Sequence, residues 1–185
     1  MDQLTEMLVE QLRDAFSAEK QAIQGMKRSL RKVTDPKLRE GIEAHIEQSE
    51  TQRERVEQAL SSLEARPGRK VCEAMRGLVE EAQHEQEEQD KGPLLDLVTI
   101  AALQRVEHYE IAAYGTMNEL ARALGKSEVA DLMAQTLEEE KAQDQRLTEV
   151  TRSSVLPAAM QAGEEEGSDE ESGHKRSARK GSAKH

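Results

Sequence analysis

An all-α protein is predicted, a four-helix bundle whose two hairpins are joined by a long crossover carrying an extra helix. Three observations predict it. The 185 residues include two Tyr, one Phe and no Trp, so the aromatic residues that strands favour are nearly absent. Ala, Leu, Glu, Gln and Arg, which favour helices, are abundant. Apolar residues then recur at steps of three or four along four long segments, the spacing of one face of an α-helix.

The first segment runs from near Leu4 to Val33, with Leu8, Leu12, Ala15, Ile23, Met26 and Leu30 in series and Glu19 filling the gap. Thr34-Asp35-Pro36 offers capping side chains and a proline suited to a first helical turn, so a second helix begins there and ends before Pro67-Gly68. On it Leu38, Ile42, Ile46, Ser49, Val56, Leu60 and Leu63 face inward, whereas Glu43, Glu47, Glu50, Glu54 and Glu57 face water. A shorter helix from about Val71 to Gln89, apolar along Cys72, Met75, Leu78, Val79 and Ala82, forms the crossover and closes at Gly92-Pro93. The third long helix spans about Leu94 to Leu124 and stops at Gly125, a suitable C-terminal glycine. A fourth starts near Ser127, carries Val129, Leu132, Met133, Leu137 and Leu147, and fades around Val155 to Pro157. Two hairpins with one long connection are the topology of ferritin-like folds.

The bundle is therefore expected over residues 1–157 and a disordered tail over 158–185. In the tail an acidic block, G-E-E-E-G-S-D-E-E-S (163–172), precedes a basic one, G-H-K-R-S-A-R-K-G-S-A-K-H. Neither block offers enough apolar area to offset the entropy of ordering. The formal charge of -11 excludes a nucleic-acid-binding body, which needs a basic face. Weak nucleic-acid contact is left to the basic end of the tail, with a purely solvated tail as the commoner reading. The lone Cys72 forms no internal disulfide, no signal peptide is legible, and the run from Leu94 to Leu103 is broken by Asp96 and Thr99. No membrane association and a cytoplasmic location are expected.

One residue conflicts with the apolar pattern. Glu110 lies on a stripe with Thr99, Leu103, Val106, Met117, Ala121 and Leu124, where an unpaired carboxylate would be costly. Glu107 precedes it by one turn, Glu19 stands at an equivalent place on the first helix, and Glu140 and Asp144 continue the line of Met133 and Leu137. On the second helix His45, Gln48, Ser49 and Gln52 share the inner side. The interval from Glu19 to Glu110 nearly equals that from Gln48 to Glu140 and from Gln52 to Asp144, so a two-fold repeat of helix pairs would bring these groups to the bundle centre. Such an arrangement resembles a carboxylate-rich dinuclear metal site. Hard oxygen donors suit iron or manganese, with a magnesium-like or calcium-like ion as the alternative. A single inward Glu is more often a core charge paired with Arg or Lys; several on facing helices bring the two readings level. Tyr114 and Tyr109 are candidate hydrogen-bond donors to these acids or space fillers, Tyr109 the more plainly a filler.

Four segments in order, D-A-F-S-A-E-K (14–20), C-E-A-M-R-G-L-V-E-E-A (72–82), R-V-E-H-Y-E-I-A-A-Y-G-T (105–116) and L-E-E-E-K-A-Q-D-Q-R-L (137–147), carry a resemblance to a known family. Over about residues 4–155 the chain resembles the YciE/YciF family of ferritin-like bacterial stress proteins. The resemblance implies a ferritin-like bundle, a homodimer and a rubrerythrin-like centre of two transition-metal ions, iron before manganese. By position Glu19, Glu107, Glu110, Glu140 and Asp144 match the family's inward acids. The family tends to H-x-x-E-T-x-x-Q on the second helix; here the run is H-I-E-Q-S-E-T-Q (45–52), which puts Gln48 where a carboxylate is usual and weakens one metal position. The site residues are thus Glu19, His45, Gln48, Gln52, Glu107, Glu110, Glu140 and Asp144, with Glu110 and Glu140 as bridging or near-bridging ligands. The expected function is a stress-associated protein handling oxygen or peroxide. The alternative is a non-enzymatic dimeric structural or interaction protein with a degenerate or empty site, and iron storage in a hollow multimer is the weaker third.

Overall fold

Side-chain caps and turn residues set where each helix starts and stops in the computed structural model, which describes residues 2–164. Asp2 accepts the Thr5 N–H at 2.9 Å and opens α1 (Gln3–Ser29). Asp35 accepts the Leu38 N–H at 2.8 Å, with Pro36 in the first turn, and opens α2 (Pro36–Ser62). The Cys72 thiol caps α3 (Glu73–Glu87), and Gly92-Pro93 leads into α4 (Pro93–Ala123). At the end of α4, Gly125 takes φ +67°, the Lys126 N–H reaches the Ala121 carbonyl at 2.9 Å and the Gly125 N–H reaches that of Arg122 at 3.0 Å. These bonds satisfy carbonyls that a helix end otherwise leaves free. Then α5 (Ser127–Val150) begins. Among the described residues there is no strand.

Two boundaries differ from expectation. Helix α1 ends at Ser29, a turn short of Val33, and residues 30–32 form turns. Helix α5 does not fade at Pro157: the backbone passes through a π turn at Thr151–Val155 and continues as α-helix over 156–164. Proline lacks an N–H and its ring crowds the carbonyl one turn earlier. The wider turn before it shifts the register, so that the Leu156 N–H pairs with the Thr151 carbonyl five residues back. Helix thus passes the limit expected at 157. From residue 165 onward the tail, including its proposed basic contact surface, lies outside the described residues.

Helices α1 and α2 form one hairpin and α4 and α5 the other; α2 also packs on α5 and α1 on α4, while α3 lies across α1 and α4. The order around the bundle is therefore α1, α2, α5, α4. The apolar side chains separate into clusters. Leu8, Leu12, Val56, Leu60, Met117 and Met133 fill one end, and Ile23, Met26, Leu38, Ile42, Leu103 and Leu147 the other. A smaller group of Ala18, Ala22, Met75 and Val106 lies under α3. Between the two ends, at matching heights on the four long helices, runs a buried polar layer of Glu19, His45, Ser49, Gln52, Glu107, Glu110, Thr136, Glu140 and Gln143.

Asp96, which only interrupted an apolar run in the sequence, has a structural role. It is buried in the first turn of α4, where Oδ1 accepts the Thr34 N–H at 2.8 Å and Oδ2 accepts the Thr34 hydroxyl at 2.6 Å and the Asp35 N–H at 2.8 Å. The loop of one hairpin is thereby tied to a helix of the other. Asp96→Ala strands two backbone donors and a hydroxyl, and is expected to cost about 2–4 kcal/mol. A urea midpoint lowered without a change in slope is the expected reading, and an unchanged midpoint would show that water replaces the carboxylate at little cost.

Candidate metal centre

The polar layer is built from residues one helical turn apart on each helix. Glu107 and Glu110 follow one another on α4, as do His45, Ser49 and Gln52 on α2 and Thr136, Glu140 and Gln143 on α5, so each set projects inward from one face of its helix. Glu19 completes the ring from α1. At its centre His45 Nε2 stands 3.2 Å from Glu107 Oε1 and 3.7 Å from Glu140 Oε2, all three side chains fully enclosed. One donor atom from each of His45, Glu107 and Glu140 lies within 4.8 Å of the others, a grouping able to hold a metal ion.

The other ring nitrogen of His45 decides what Nε2 offers. Nδ1 lies 3.4 Å from Gln48 Oε1. An amide oxygen can only accept, so Gln48 favours a proton on Nδ1, and Nε2, the nitrogen facing the two carboxylates, is the one placed to bind an ion. Gln48 therefore orients His45 instead of joining the donor set. Gln52 is held likewise: its amide nitrogen donates to Glu140 Oε1 and, at 3.1 Å, to Glu139 Oε2. Glu139 is itself gripped by both Arg55 nitrogens. A chain from Arg55 through Glu139 and Gln52 thus fixes the Glu140 carboxylate.

Glu19 and Glu110 stand beside the triad. The Tyr114 hydroxyl donates to Glu19 Oε1, so this tyrosine serves the acid layer from within the apolar end cluster. Tyr109 turns away from the layer, donating to Asp14 at 2.8 Å, with the Cys72 sulfur 3.0 Å off. Asp144, one turn beyond Glu140, leaves the enclosed set: its side chain is 23% exposed, accepts from Gln104 at 3.0 Å and lies 3.4 Å from His108. Of the eight residues expected at the site, the structure encloses Glu19, His45, Gln52, Glu107, Glu110 and Glu140 together and places Gln48 and Asp144 at the margin.

Crowding of acids dominates the electrostatics. Burial, then the charge of Glu140, raises Glu19 to about 8, against the Tyr114 hydrogen bond that lowers it. Burial also raises Glu107 to about 7. Glu110 is pushed well above the ordinary carboxylate range by burial and then by Glu19, Glu140 and Glu107. Glu140 is raised by burial and by the Glu107 carboxyl beside it, the two crowded acids competing for protons. The Tyr114 phenol, raised by burial and the neighbouring acids, stays a donor. Among the described residues no Lys or Arg pairs with any of the four glutamates; the cation-capable neighbour is His45.

Six buried oxygens of the layer have no hydrogen-bond partner: Glu19 Oε2, Gln52 Oε1, both oxygens of Glu107, Glu110 Oε1 and Glu140 Oε2. Unpaired buried oxygens of this kind are rare and need a cation or protons. Carboxylate oxygens with one imidazole are a donor set that suits iron or manganese, so the residues fit the metal that the sequence led one to expect. The helical step also locates two layer residues that the sequence reading passed over: Thr136 and Gln143 flank Glu140 by one turn on either side. Glu139 and Arg55 carry no such signal, since their pairing joins two helices.

Comparison with known proteins agrees in fold and sequence. The family described as a domain of unknown function, DUF892, matches residues 3–160. Over 156 residues the chain is 40% identical to Protein YciF of Escherichia coli (strain K12), covering 84% of this chain and 94% of that one. The crystal structure of the E. coli stress protein YciF superposes with a TM-score of 0.77, covering 81% of this chain and 95% of its own. YcfI of Rhodopseudomonas palustris, proposed to be a structural protein, is 34% identical with a TM-score of 0.76, covering 80% and 94%. Ferritin-like, diiron-carboxylate proteins from Bacillus anthracis str. Ames share the fold at 14% identity, with a TM-score of 0.64 and coverage of 81% and 99%.

Proposed function

Because this chain belongs to the DUF892 family and has a ferritin-like fold, we propose that its polar layer is a centre for two transition-metal ions, iron first and manganese second, in a cytoplasmic, homodimeric stress protein that handles oxygen or peroxide. The observation that carries this reading is the set of six partnerless buried oxygens in one layer, two of them within 3.7 Å of His45 Nε2, and no Lys or Arg paired with the glutamates that carry them. His45, Glu107 and Glu140 would hold one ion; Glu19 and Glu110, with Gln52 Oε1, supply the donors beside it.

Bound ions would contribute redox and Lewis-acid chemistry. The protein's own groups do the rest. Gln48 keeps the His45 proton on Nδ1, Tyr114 aims Glu19, and Gln52 aims Glu140. Without an ion Glu107 and Glu140 hold protons that a bound ion would displace, while the apolar clusters on both sides exclude bulk water. Protein purified without chelator is expected to contain close to two iron or manganese ions per chain. Adding Fe(II) or Mn(II) to stripped protein raises its melting temperature, a saturating ion at 100-fold over its Kd contributing about 2.7 kcal/mol. A metal-free preparation that also fails to shift would sink the proposal.

One observation favours a second reading, a structural protein whose acids are satisfied by protons. Tyr114 and Gln52 already donate to Glu19 and Glu140, and all four glutamates are raised toward the protonated form. Under that reading Glu110→Leu stabilises the fold and Mn(II) leaves the melting temperature unchanged.

A further inference from the structure

Away from the acid layer, a cleft of about 220 Å³ opens between α1, α3 and α4. Its walls are apolar and built largely of small residues: Ala22, Val79, Ala82, Ala102, Leu103 and Val106. Gly25 matters to its shape, since a Cβ there would come within 3.2 Å of a Val79 methyl, which would have to give by a few tenths of an ångström. Toward the far end of α1, Gln86 donates to the Ser29 and Thr99 hydroxyls at 2.9 and 3.0 Å, so these polar groups are already paired. What remains for an occupant is apolar surface.

The mouth has the opposite character. Arg28, Arg31 and Lys32 line it, and among the described residues none of the three makes an ion pair. Glu87 is the one acid on the rim, and it accepts from Gln83 at 2.9 Å. In a chain of net charge -11, three unpaired cations around one apolar cleft form a local reversal of sign. The end of α1 favours cations in its last turn, which accounts for Arg28 at that height but not for the convergence of all three on one opening.

We propose that this cleft binds a medium-chain alkyl carboxylate, its tail among Ala22, Val79 and Val106 and its head at Arg28, Arg31 and Lys32. A cavity of this size takes a short alkyl chain such as the tail of octanoate, with the carboxylate left at the mouth. Two guanidiniums and an ammonium offer a carboxylate head both a paired-donor fork and a point charge.

Isothermal titration of the full chain with octanoate at low salt, below micelle formation, tests this. Saturable one-to-one binding is expected, weakened as salt is raised. Octyltrimethylammonium, with the same tail and opposite charge, should bind at least tenfold more weakly, and acetate should not bind measurably. Ala82→Trp, at a half-buried wall position, fills the cleft and should abolish binding. The triple change Arg28→Gln, Arg31→Gln, Lys32→Gln should weaken it by about tenfold and remove the salt dependence, three exposed pairs acting together. These three sites are at the surface, so this variant decides the matter even if Ala82→Trp disturbs α3. No octanoate binding up to millimolar concentration, equal binding of the ammonium analogue, or unchanged octanoate affinity in the triple variant would each overturn the proposal.

Discussion

Glu140→Ala is expected to weaken Fe(II) and Mn(II) binding by more than about 100-fold. Losing a group that merely orients a metal-binding residue costs about 10–100-fold, and Glu140 does more than orient. It belongs to the enclosed triad, receives the Gln52 amide and competes with Glu107 for a proton, so its removal takes away a donor oxygen and slackens the chain from Arg55. Two comparisons sharpen the test. Asp144→Asn alters a partly exposed side chain at the margin and should change affinity by less than about tenfold. Gln48→Glu should raise it, because a carboxylate on Nδ1 makes His45 a stronger base. Anaerobic competition against a coloured chelator measures all three, with helical content by circular dichroism confirming that each variant is folded. Equal affinities for wild type and Glu140→Ala would remove the centre from this position.

The stability of metal-free protein should fall as pH rises from about 5 to 8. Glu19 and Glu107 have folded-state values of about 8 and about 7, against an ordinary 4.5. Below 4.5 both folded and unfolded chains hold these protons, so nothing is lost. Between 4.5 and the raised values the unfolded chain releases them while the folded one retains them, and stability declines by about 1.4 kcal/mol per pH unit for each group titrating in that window. Metal ions compete with those protons, so the stabilisation that Mn(II) confers should grow over the same range. Melting curves at pH 5, 6, 7 and 8, with and without Mn(II), give both slopes. A metal-free melting temperature that is flat or rising across this range would mean that the acids are already ionised and paired.

The helices were legible because their signals are local. Apolar steps of three and four, Asp35-Pro36 and Gly125 act through neighbouring backbone, and each boundary they mark falls within a few residues of the observed one. Pro157 misled for the same reason: a local rule ends the helix there, while a π turn upstream absorbs the missing donor. In the layer, the inward direction of Glu19, Glu107, Glu110 and Glu140 followed from phase along one helix. The margins did not. Asp144 shares the phase of Glu140, but Gln104 on α4 draws it outward, and Gln48 is drawn to the free side of the His45 ring. Both outcomes depend on what another side chain offers, which spacing along a single helix does not encode.

The division of the core by its polar layer also governs how mutations combine. Leu12 and Ile42 belong to separate clusters, so truncating both should cost the sum of the single losses, as for independent sites. Within the layer the sum fails. The charge of Glu107 is one cause of the raised Glu110, so once Glu107 is gone, removing Glu110 relieves less repulsion than it does in the intact protein. Epistasis in this fold is thus concentrated at one height of the bundle, and the two ends are free to vary independently of each other.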